Sequence, residues 1–354
     1  MKNLLILLTI ITATCVQPPV KIAVVADLSG TGQDLGWSIV RGVELAIDEY
    51  NEHSMAPDFQ ILIRDDHGDS VMAKRVAQEL ARKDIIGVIG HMNSHCSMAA
   101  APIYHQARIP MITPSSTAPI LTEKGYDNVF RICGRDDLQG RVAALFVRES
   151  LRSKRILLIA DNSIYGRGLA DAFEEEMGNN TIKRINFDVG ALPVEKVRAT
   201  ILLTLPDLVY FSGLYQDGAR LLKILPEGVT FLAGDGVATD EFLKLTGKRA
   251  EGIFFTFGLP IHQLGSAVHF LRVAHEKKIR VEPYTCNAYD ATNLLIDAYF
   301  RARGKDLVWF IKNNKFDGAI GIIQFNKKGD LLGSPFMVWT VKNGTFTPWT
   351  KEVD

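Results

Sequence analysis

The chain has 354 residues, of which 47% are hydrophobic and 23% charged, a composition typical of globular proteins rather than of disordered or membrane-embedded ones. Its 40 basic side chains balance 40 acidic ones, so no net field favours nucleic acid or an anionic membrane surface. The length exceeds what one ordinary hydrophobic core accommodates and predicts two domains.

The first residues have the pattern of a secretory signal peptide. Lys2 precedes the apolar run Leu4–Ile11, and small residues and Cys15 follow it. The run is shorter than the ~20 residues that span a bilayer, so we expect 1–14 to be a signal peptide. Cys15 resembles the lipid-modified cysteine of bacterial lipoproteins, although the residues just before it depart from the usual pattern. We therefore expect an extracytoplasmic protein anchored through Cys15, with simple secretion as the alternative.

The remaining cysteines do not indicate a disulfide framework. Cys96, Cys133 and Cys286 are odd in number and have no C-x-x-C spacing. We expect structural thiols, while a single bridge in an oxidising compartment stays possible.

Apolar strand-like runs alternate with amphipathic helical segments along most of the chain. Such a pattern predicts parallel sheets covered by helices on both faces. It restarts near residue 136, which predicts two doubly wound α/β units in succession. The tail differs, with helices at about 265–278, 285–303 and 305–314 and then two strands around a Gly329–Asp330 turn. The strand-like runs are 21–27, 59–66, 85–90 and 108–113, then 155–160, 207–213, 229–235 and 252–258.

Open α/β sheets bind ligands beyond the carboxyl ends of their strands. The residues that follow the predicted strands are rich in hydroxyls and carboxylates and include no lysine or arginine. They are 27–30, 65–66, 91–94, 113–117, 161–165, 212–215 and 234–235.

Three familiar site patterns are absent or incomplete. The glycines of segment 29–36 are one residue off the dinucleotide fingerprint, and no acidic residue closes a second strand about 20 positions later. The segment 91–96 with His105 fits no standard zinc spacing. Ser94, Ser115 and Cys96 lack a G-x-S-x-G elbow and an assignable base. We therefore expect no cofactor, no metal and no catalytic residue.

The stretch 111–126 joins a strand to a helix through three hydroxyl residues, Ser115, Ser116 and Thr117, between Pro114 and Pro119. Hydroxyls and prolines at a helix start are ordinary capping features. The same donors also suit an anion such as a ligand carboxylate. The residues of this stretch alone leave both interpretations open.

Several strings, in order and spacing, resemble the leucine/isoleucine/valine-binding proteins of the type I periplasmic binding protein family. The resemblance extends over about residues 20–340. The strings are IAVVADLSGTGQDLG, VIGHMNSHCSMAAAPIY, IPMITPSSTAPILTEKGYDNVFRICGRDDLQG, DNSIYGRGLADAF, AGDGV, AEGIF and FNKKGDLLG.

The resemblance implies an amino-acid site. In such proteins a serine after the third strand and the Ser/Thr turn after the fourth hold the ligand carboxylate, here Ser94 and Ser115–Thr117, including Ser116. Asp235 stands where the family usually has a glutamate that pairs with the ligand ammonium, and Tyr165 matches a tyrosine that closes the site.

The resemblance also implies which residues line the side-chain pocket, and here the chain departs from the family. A family tyrosine falls at Leu214, with Tyr215 adjacent, and a family aromatic falls at Leu35. Leu35 and Met92 indicate an apolar pocket.

The family fold implies two doubly wound α/β lobes joined by three crossings near residues 136, 258 and 330, closing like a Venus flytrap. The lobes would be 21–136 plus 259–330 and 137–258 plus 331–354.

The implied function is capture of an aliphatic, branched-chain amino acid, as a monomer, for the membrane permease of an ABC importer. One alternative is a soluble sensor of the same fold that binds a short amide, urea or aromatic acid. The other is an enzyme using Ser94 or Cys96.

Overall fold

The computed structural model describes residues 18–54, 57–333 and 335–350. The predicted signal peptide and Cys15 lie outside these residues. Within the described ranges, no helix combines the length and the hydropathy needed to cross a bilayer.

The first lobe is built on a sheet of five parallel strands. Both faces of the sheet carry helices, which explains why its strands are continuous apolar runs rather than alternating ones. The strands are β1 (Val20–Ala26), β2 (Phe59–Asp65), β3 (Gly87–Gly90), β4 (Met111–Thr113) and β5 (Val129–Arg131), and the helices among them are α1 (Gln33–His53), α2 (Ser70–Leu80), α3 (Ser94–Gln106) and α4 (Ile120–Glu123). The spatial order is β2-β1-β3-β4-β5.

The second lobe repeats this plan and extends it. Five parallel strands are followed across the sheet by two antiparallel ones from the end of the chain. The strands are β6 (Ile156–Asp161), β7 (Thr181–Phe187), β8 (Leu208–Ser212), β9 (Thr230–Ala233) and β10 (Phe254–Phe257), and the helices are α5 (Asp136–Phe146), α6 (Ile164–Met177), α7 (Val194–Thr204), α8 (Tyr215–Ile224) and α9 (Asp240–Thr246).

After β10 the chain returns to the first lobe, where α11 packs along α1. It then crosses once more and ends in the second sheet, whose order is β14-β13-β10-β9-β8-β6-β7. The returning elements are α10 (Val268–Glu276), α11 (Thr285–Ala302), α12 (Leu307–Asn313), the hairpin β11 (Phe316–Gly318) and β12 (Gly321–Ile323), and finally β13 (Met337–Lys342) and β14 (Thr345–Pro348). The fold class predicted from the sequence, two α/β lobes joined by three crossings, is confirmed.

The tail departs from its sequence-based prediction. Residues around Gly329–Asp330 form isolated bridges, Phe325 with Leu331 and Asp330 with Arg131 of β5, instead of a two-stranded hairpin. Gly329 has a φ of +96° and lies against the Val129 carbonyl, and the Asp330 carboxylate pairs with an arginine of β5. The turn is therefore docked on the first sheet and leads directly into the third crossing.

The cysteines of the described residues, Cys96, Cys133 and Cys286, are buried and unbonded. Burial raises the pKa of each thiol. They are structural thiols of the first lobe and the first crossing.

The buried carboxyl group of Asp290 makes the stability of the fold depend on pH. Its two carboxyl oxygens accept from the backbone N–H groups of Ala319 and Ile320 at 2.8 Å each, which fixes the β11–β12 turn on α11. Burial nevertheless raises the pKa of Asp290 to about 6. Because this folded-state pKa lies above the unfolded value, Asp290 contributes about 3 kcal/mol of stability at low pH, and that contribution is lost as the pH rises through 6.

We expect Asp290→Asn, which cannot titrate, to lose stability relative to the unsubstituted protein by about 2.4 kcal/mol more at pH 4 than at pH 7.5. Urea denaturation at both pH values measures this difference. Asp297→Asn, at an exposed position of the same helix, is the control and should change the difference by less than about 0.5 kcal/mol. An identical loss for Asp290→Asn at the two pH values would contradict the assignment.

Candidate ligand-binding site

The two lobes face each other with the carboxyl ends of their parallel strands. In each sheet the strand order reverses at one point, between β1 and β3 in the first and between β6 and β8 in the second. Loops that leave such a point in opposite directions open a crevice where ligands bind in α/β proteins. The cleft therefore lies where both switch points meet.

A cavity of about 100 Å³ occupies this cleft. Most of the residues that the sequence predicts for the ligand carboxylate, the ligand ammonium and the apolar pocket line this cavity. They are Leu35, Met92, Ser94, Ser115, Thr117, Tyr165, Leu214 and Asp235. Ser116 and Tyr215 do not line it.

The turn after β4 is held rigid by its own hydroxyls. Ser115 Oγ donates to the Met92 carbonyl at 3.0 Å, and Ser116 Oγ donates to the His91 carbonyl at 3.1 Å. Thr113 Oγ1 accepts from the Ser116 N–H at 3.0 Å. The Ser116 hydroxyl is thus committed to positioning the turn.

Unused donors face the cavity from two directions. Asn93 precedes α3 without a side-chain cap hydrogen bond, so the first N–H groups of this 13-residue helix remain available. Ser94 Oγ accepts from the Ala118 N–H at 3.3 Å, which leaves its own O–H to donate. In the described part of the chain, no protein acceptor bonds the Thr117 N–H. A helix N-terminus and free hydroxyls form a suitable site for a carboxylate.

Arg131, at the end of β5, supports this turn from behind and was missed by the sequence analysis. Its side chain is fully buried, and Nη1 donates to the carbonyls of Ser116 and Ala118 at 3.1 and 2.7 Å. The Arg131 Nη2 lies 2.6 Å from the Asp330 Oδ1. Burial alone would raise the pKa of Asp330, but Arg131, Thr122 and Arg135 together lower it. A buried arginine inside a three-residue apolar strand leaves no sequence pattern that marks it.

Asp235 follows β9 and presents a buried carboxylate from the second lobe. Oδ1 accepts from Gln139 Nε2 at 3.0 Å and from the Tyr165 hydroxyl at 2.8 Å, and Oδ2 accepts from the Tyr284 hydroxyl at 2.7 Å. Burial raises the pKa of Asp235, and these three hydrogen bonds oppose that rise. Gln139 and Tyr284 come from distant parts of the sequence and were not foreseen.

A second buried acid, Asp136, lies close to Asp235 at the first crossing. Among the residues that the structure describes, neither of its oxygens has a hydrogen-bond partner of good geometry. Burial and the charge of Asp235 raise the pKa of Asp136 well above its usual range, although the nearby Thr117 hydroxyl opposes this. Burial raises the pKa of both acids, and the rise is stronger for Asp136 because Asp235 has three donors that favour its charged form.

Leu35 and Met92 form an apolar patch in the first-lobe wall, which also includes the polar residues Thr31, Asn93 and His95. Leu35 and Met92 are buried, and Leu214 reaches across from the second lobe. Met92 packs so closely on Gly32 that a side chain at residue 32 would overlap it. The arrangement provides a hydrophobic region beside two polar ends.

Contacts across the cleft join the lobes. The Tyr215 hydroxyl donates to Asp34 at the mouth of the cleft, Arg280 pairs with Asp240, and Tyr284 bonds to Asp235 inside it. Tyr215 is therefore a contact between the lobes.

The histidines considered for zinc have other partners. His91 is fully buried, with Nδ1 at 2.6 Å from Asp66 and Nε2 at 3.2 Å from the Tyr104 hydroxyl. His105 is half exposed beside Asp127. Within residues 18–54, 57–333 and 335–350, no three His, Cys, Asp or Glu side chains are grouped to hold a metal ion.

Comparison with known proteins agrees with this geometry. The family model described as "Periplasmic binding protein" matches residues 19–345. The chain belongs to that family. Periplasmic binding proteins capture solutes outside the cytoplasm and are not enzymes, which places this chain outside the enzymatic alternative.

Relatives of this periplasmic binding protein carry amino-acid-binding names. It is 27% identical over 350 residues to Leu/Ile/Val-binding protein homolog 3 of Brucella melitensis, covering 95% of each chain. It is 30% identical to an amino acid binding protein of Pseudomonas aeruginosa, covering 90% of this chain and 89% of that one. The crystal structure of leucine binding protein LivK from Thermotoga maritima superimposes with a TM-score of 0.85 at 28% identity, covering 94% of this chain and 98% of that one. The resemblance inferred from the sequence is confirmed at the level of the branched-chain amino-acid-binding group.

Proposed function

We propose that this protein captures a free aliphatic α-amino acid, of the branched-chain type, and delivers it to the permease of an ABC importer. The observation that carries the proposal is the pairing of opposite chemistries in one cavity. Unused donors at Ser94 and Thr117 lie on the first lobe, and the hydrogen-bonded carboxylate of Asp235 lies on the second. A zwitterion with an apolar side chain satisfies both and fills the region beside Leu35 and Met92.

Capture follows from ligand contacts on both lobes. A ligand that bonds donors of one lobe and an acceptor of the other binds the closed arrangement better than the open one and shifts the population toward it. The contacts of Tyr215 with Asp34 and of Arg280 with Asp240 form only when the lobes meet. We propose that this closed surface is what a permease recognises and that the protein acts as a monomer.

Calorimetric titration of the full mature chain tests the ligand class. We expect leucine, isoleucine and valine to bind, and we expect leucinamide, which lacks the carboxylate, and 4-methylpentanoate, which lacks the ammonium, to bind much more weakly. Urea, short amides and benzoate complete the panel. Tight binding of one of these in place of any amino acid would favour the sensor alternative.

Ser94→Ala removes the hydroxyl whose O–H is free to donate into the cavity. A hydrogen bond to a charged group contributes about 1.5–3 kcal/mol, so we expect leucine affinity to fall about 10- to 150-fold. Ser94→Thr should restore most of it. Leucinamide should bind equally weakly to all three proteins, and an equal loss for leucine and leucinamide would contradict the carboxylate assignment.

We further propose that Cys15 carries the lipid that anchors the protein outside the cytoplasm, with the signal peptide 1–14 removed. The motivation is the position of Cys15 directly after the signal-like apolar run. We expect Cys15→Ser to move the protein from the membrane fraction to the soluble extracytoplasmic fraction, as measured by immunoblot. Cys286→Ser, at a buried thiol, is the control that should stay with the membrane, and unchanged fractionation of Cys15→Ser would contradict the proposal.

A further inference from the structure

A second cavity of about 100 Å³ lies behind the ligand-binding cavity, between the three segments that join the lobes. We call it the hinge cavity. Its lining includes Cys133 and Gly134 of the first crossing, Phe257–Leu259 of the second, and Leu331 with Phe336 of the third. The two cavities share three lining residues, Thr117, Asp235 and Tyr284. These three residues therefore form a common wall.

The walls of the hinge cavity select for a neutral molecule. Beyond the common wall the lining is apolar apart from the Cys133 thiol, the Asn287 amide and backbone groups. Asp235 is the lone charged side chain among the described lining residues, and the ammonium of the proposed ligand pairs with its carboxylate from the other cavity. An ion would therefore be buried without a partner, which is costly.

Size and access limit the occupant further. A water requires about 10–15 Å³ of such space, so the hinge cavity holds a molecule with on the order of six non-hydrogen atoms. The exposed residues Gly333 and Pro335 lie at its rim and give access from solvent.

We propose that the hinge cavity is a second binding site, for a small neutral amphiphile such as a short aliphatic alcohol, whose occupation favours the closed lobes. Since its walls come from all three crossings, rotation of the lobes changes its shape. A molecule that fits the closed shape shifts the equilibrium toward it, and by linkage it tightens binding of any ligand in the cleft. The exclusion of cations and this last consequence rest on the proposed amino-acid function.

Cyclopentanol, with six non-hydrogen atoms, is the probe, and glycerol, with six but polar throughout, is its matched control. The first readout needs no amino acid. The rate at which a small methanethiosulfonate labels Cys133, followed by mass spectrometry, should fall at least 5-fold with cyclopentanol and stay unchanged with glycerol. Cys96 and Cys286, buried elsewhere, serve as internal controls. Equal protection of the three thiols, or no protection of Cys133, would overturn the proposal.

A substitution that fills the hinge cavity tests whether the alcohol binds there. Leu264 lines the hinge cavity, whereas Leu332 lies beside it without lining it. Leu264→Phe should abolish the protection by cyclopentanol, and Leu332→Phe should leave it intact. Ile261→Phe, at another position in the lining, replaces Leu264→Phe if circular dichroism shows that variant unfolded. Protection that survives a folded filling variant would place the alcohol elsewhere and refute the site.

The coupling is measured separately, as the leucine dissociation constant with and without saturating cyclopentanol. We expect about a 5-fold gain in affinity that is lost in Leu264→Phe. Protection of Cys133 without any leucine binding would refute the amino-acid function and leave the site standing. Leucine binding with no change on adding cyclopentanol would refute the coupling.

Discussion

Asp235→Asn is expected to lower leucine affinity at least 30-fold. Truncating one partner of a buried, hydrogen-bonded charge pair costs about 2–5 kcal/mol, and 2 kcal/mol corresponds to roughly 30-fold in the dissociation constant. The asparagine keeps the size of the side chain and one acceptor oxygen for Gln139 and Tyr165, so the cavity should retain its shape. Calorimetry with leucine gives the measurement.

The choice of ligand provides the control for Asp235→Asn. 4-Methylpentanoate has the carboxylate and side chain of leucine without the ammonium, and its affinity should be unchanged or higher in the variant because a negative charge has been removed. Urea denaturation of the unliganded proteins shows whether the fold has suffered. An equal loss of affinity for both ligands would show that Asp235 has a structural role and that the ammonium does not bind there.

Arg131→Met is expected to produce the largest loss of stability, about 3–5 kcal/mol. The substitution leaves the Asp330 carboxylate with less compensation in a buried site, and removing one partner of a buried ion pair has costs of this size. It also removes the donors to the Ser116 and Ala118 carbonyls. Leucine affinity should fall as well, because those carbonyls flank Thr117. Urea denaturation monitors the first effect and calorimetry the second.

Arg272→Met is the matched control for Arg131→Met. Arg272 pairs with Glu276 on the surface, and both side chains are more than half exposed. Such pairs contribute about 0–1 kcal/mol. Adding Asp330→Asn to Arg131→Met should recover part of the lost stability, because the uncompensated charge is then gone. A loss for Arg131→Met no greater than for Arg272→Met would show that the buried pair does not stabilise the docked turn.

The long apolar strands could be predicted from the sequence, and several others, β5 and β7 among them, could not. β1, β6 and β8 are buried on both faces, and their runs of valine, leucine and isoleucine mark them clearly. β7 lies at the edge of its sheet and alternates between buried and exposed residues, so no continuous run marks it. β5 is three residues long and includes a buried arginine.

Parts of the candidate site were also accessible to sequence reasoning. Ser94, Thr117 and Asp235 were among the residues after strand ends, which parallel strands bring to one edge, and the resemblance to the family singled them out. Tyr284 and Gln139, which bond to Asp235, lie on helices far along the chain from β9. No rule of spacing connects them to that strand.

The sequence by itself determined the periodic elements, the restart of the α/β pattern and the acidic and hydroxyl residues at the strand ends. These follow from local patterns of burial and turn chemistry that a single segment expresses. Only the tertiary structure decided which hydroxyls face the cavity and which hold the turn, which of two buried acids receives three donors, and that a second cavity lies between the crossings. The physical reason is that hydrogen-bond partners and desolvation depend on segments brought together from opposite ends of the chain, as Arg131 and Asp330 are.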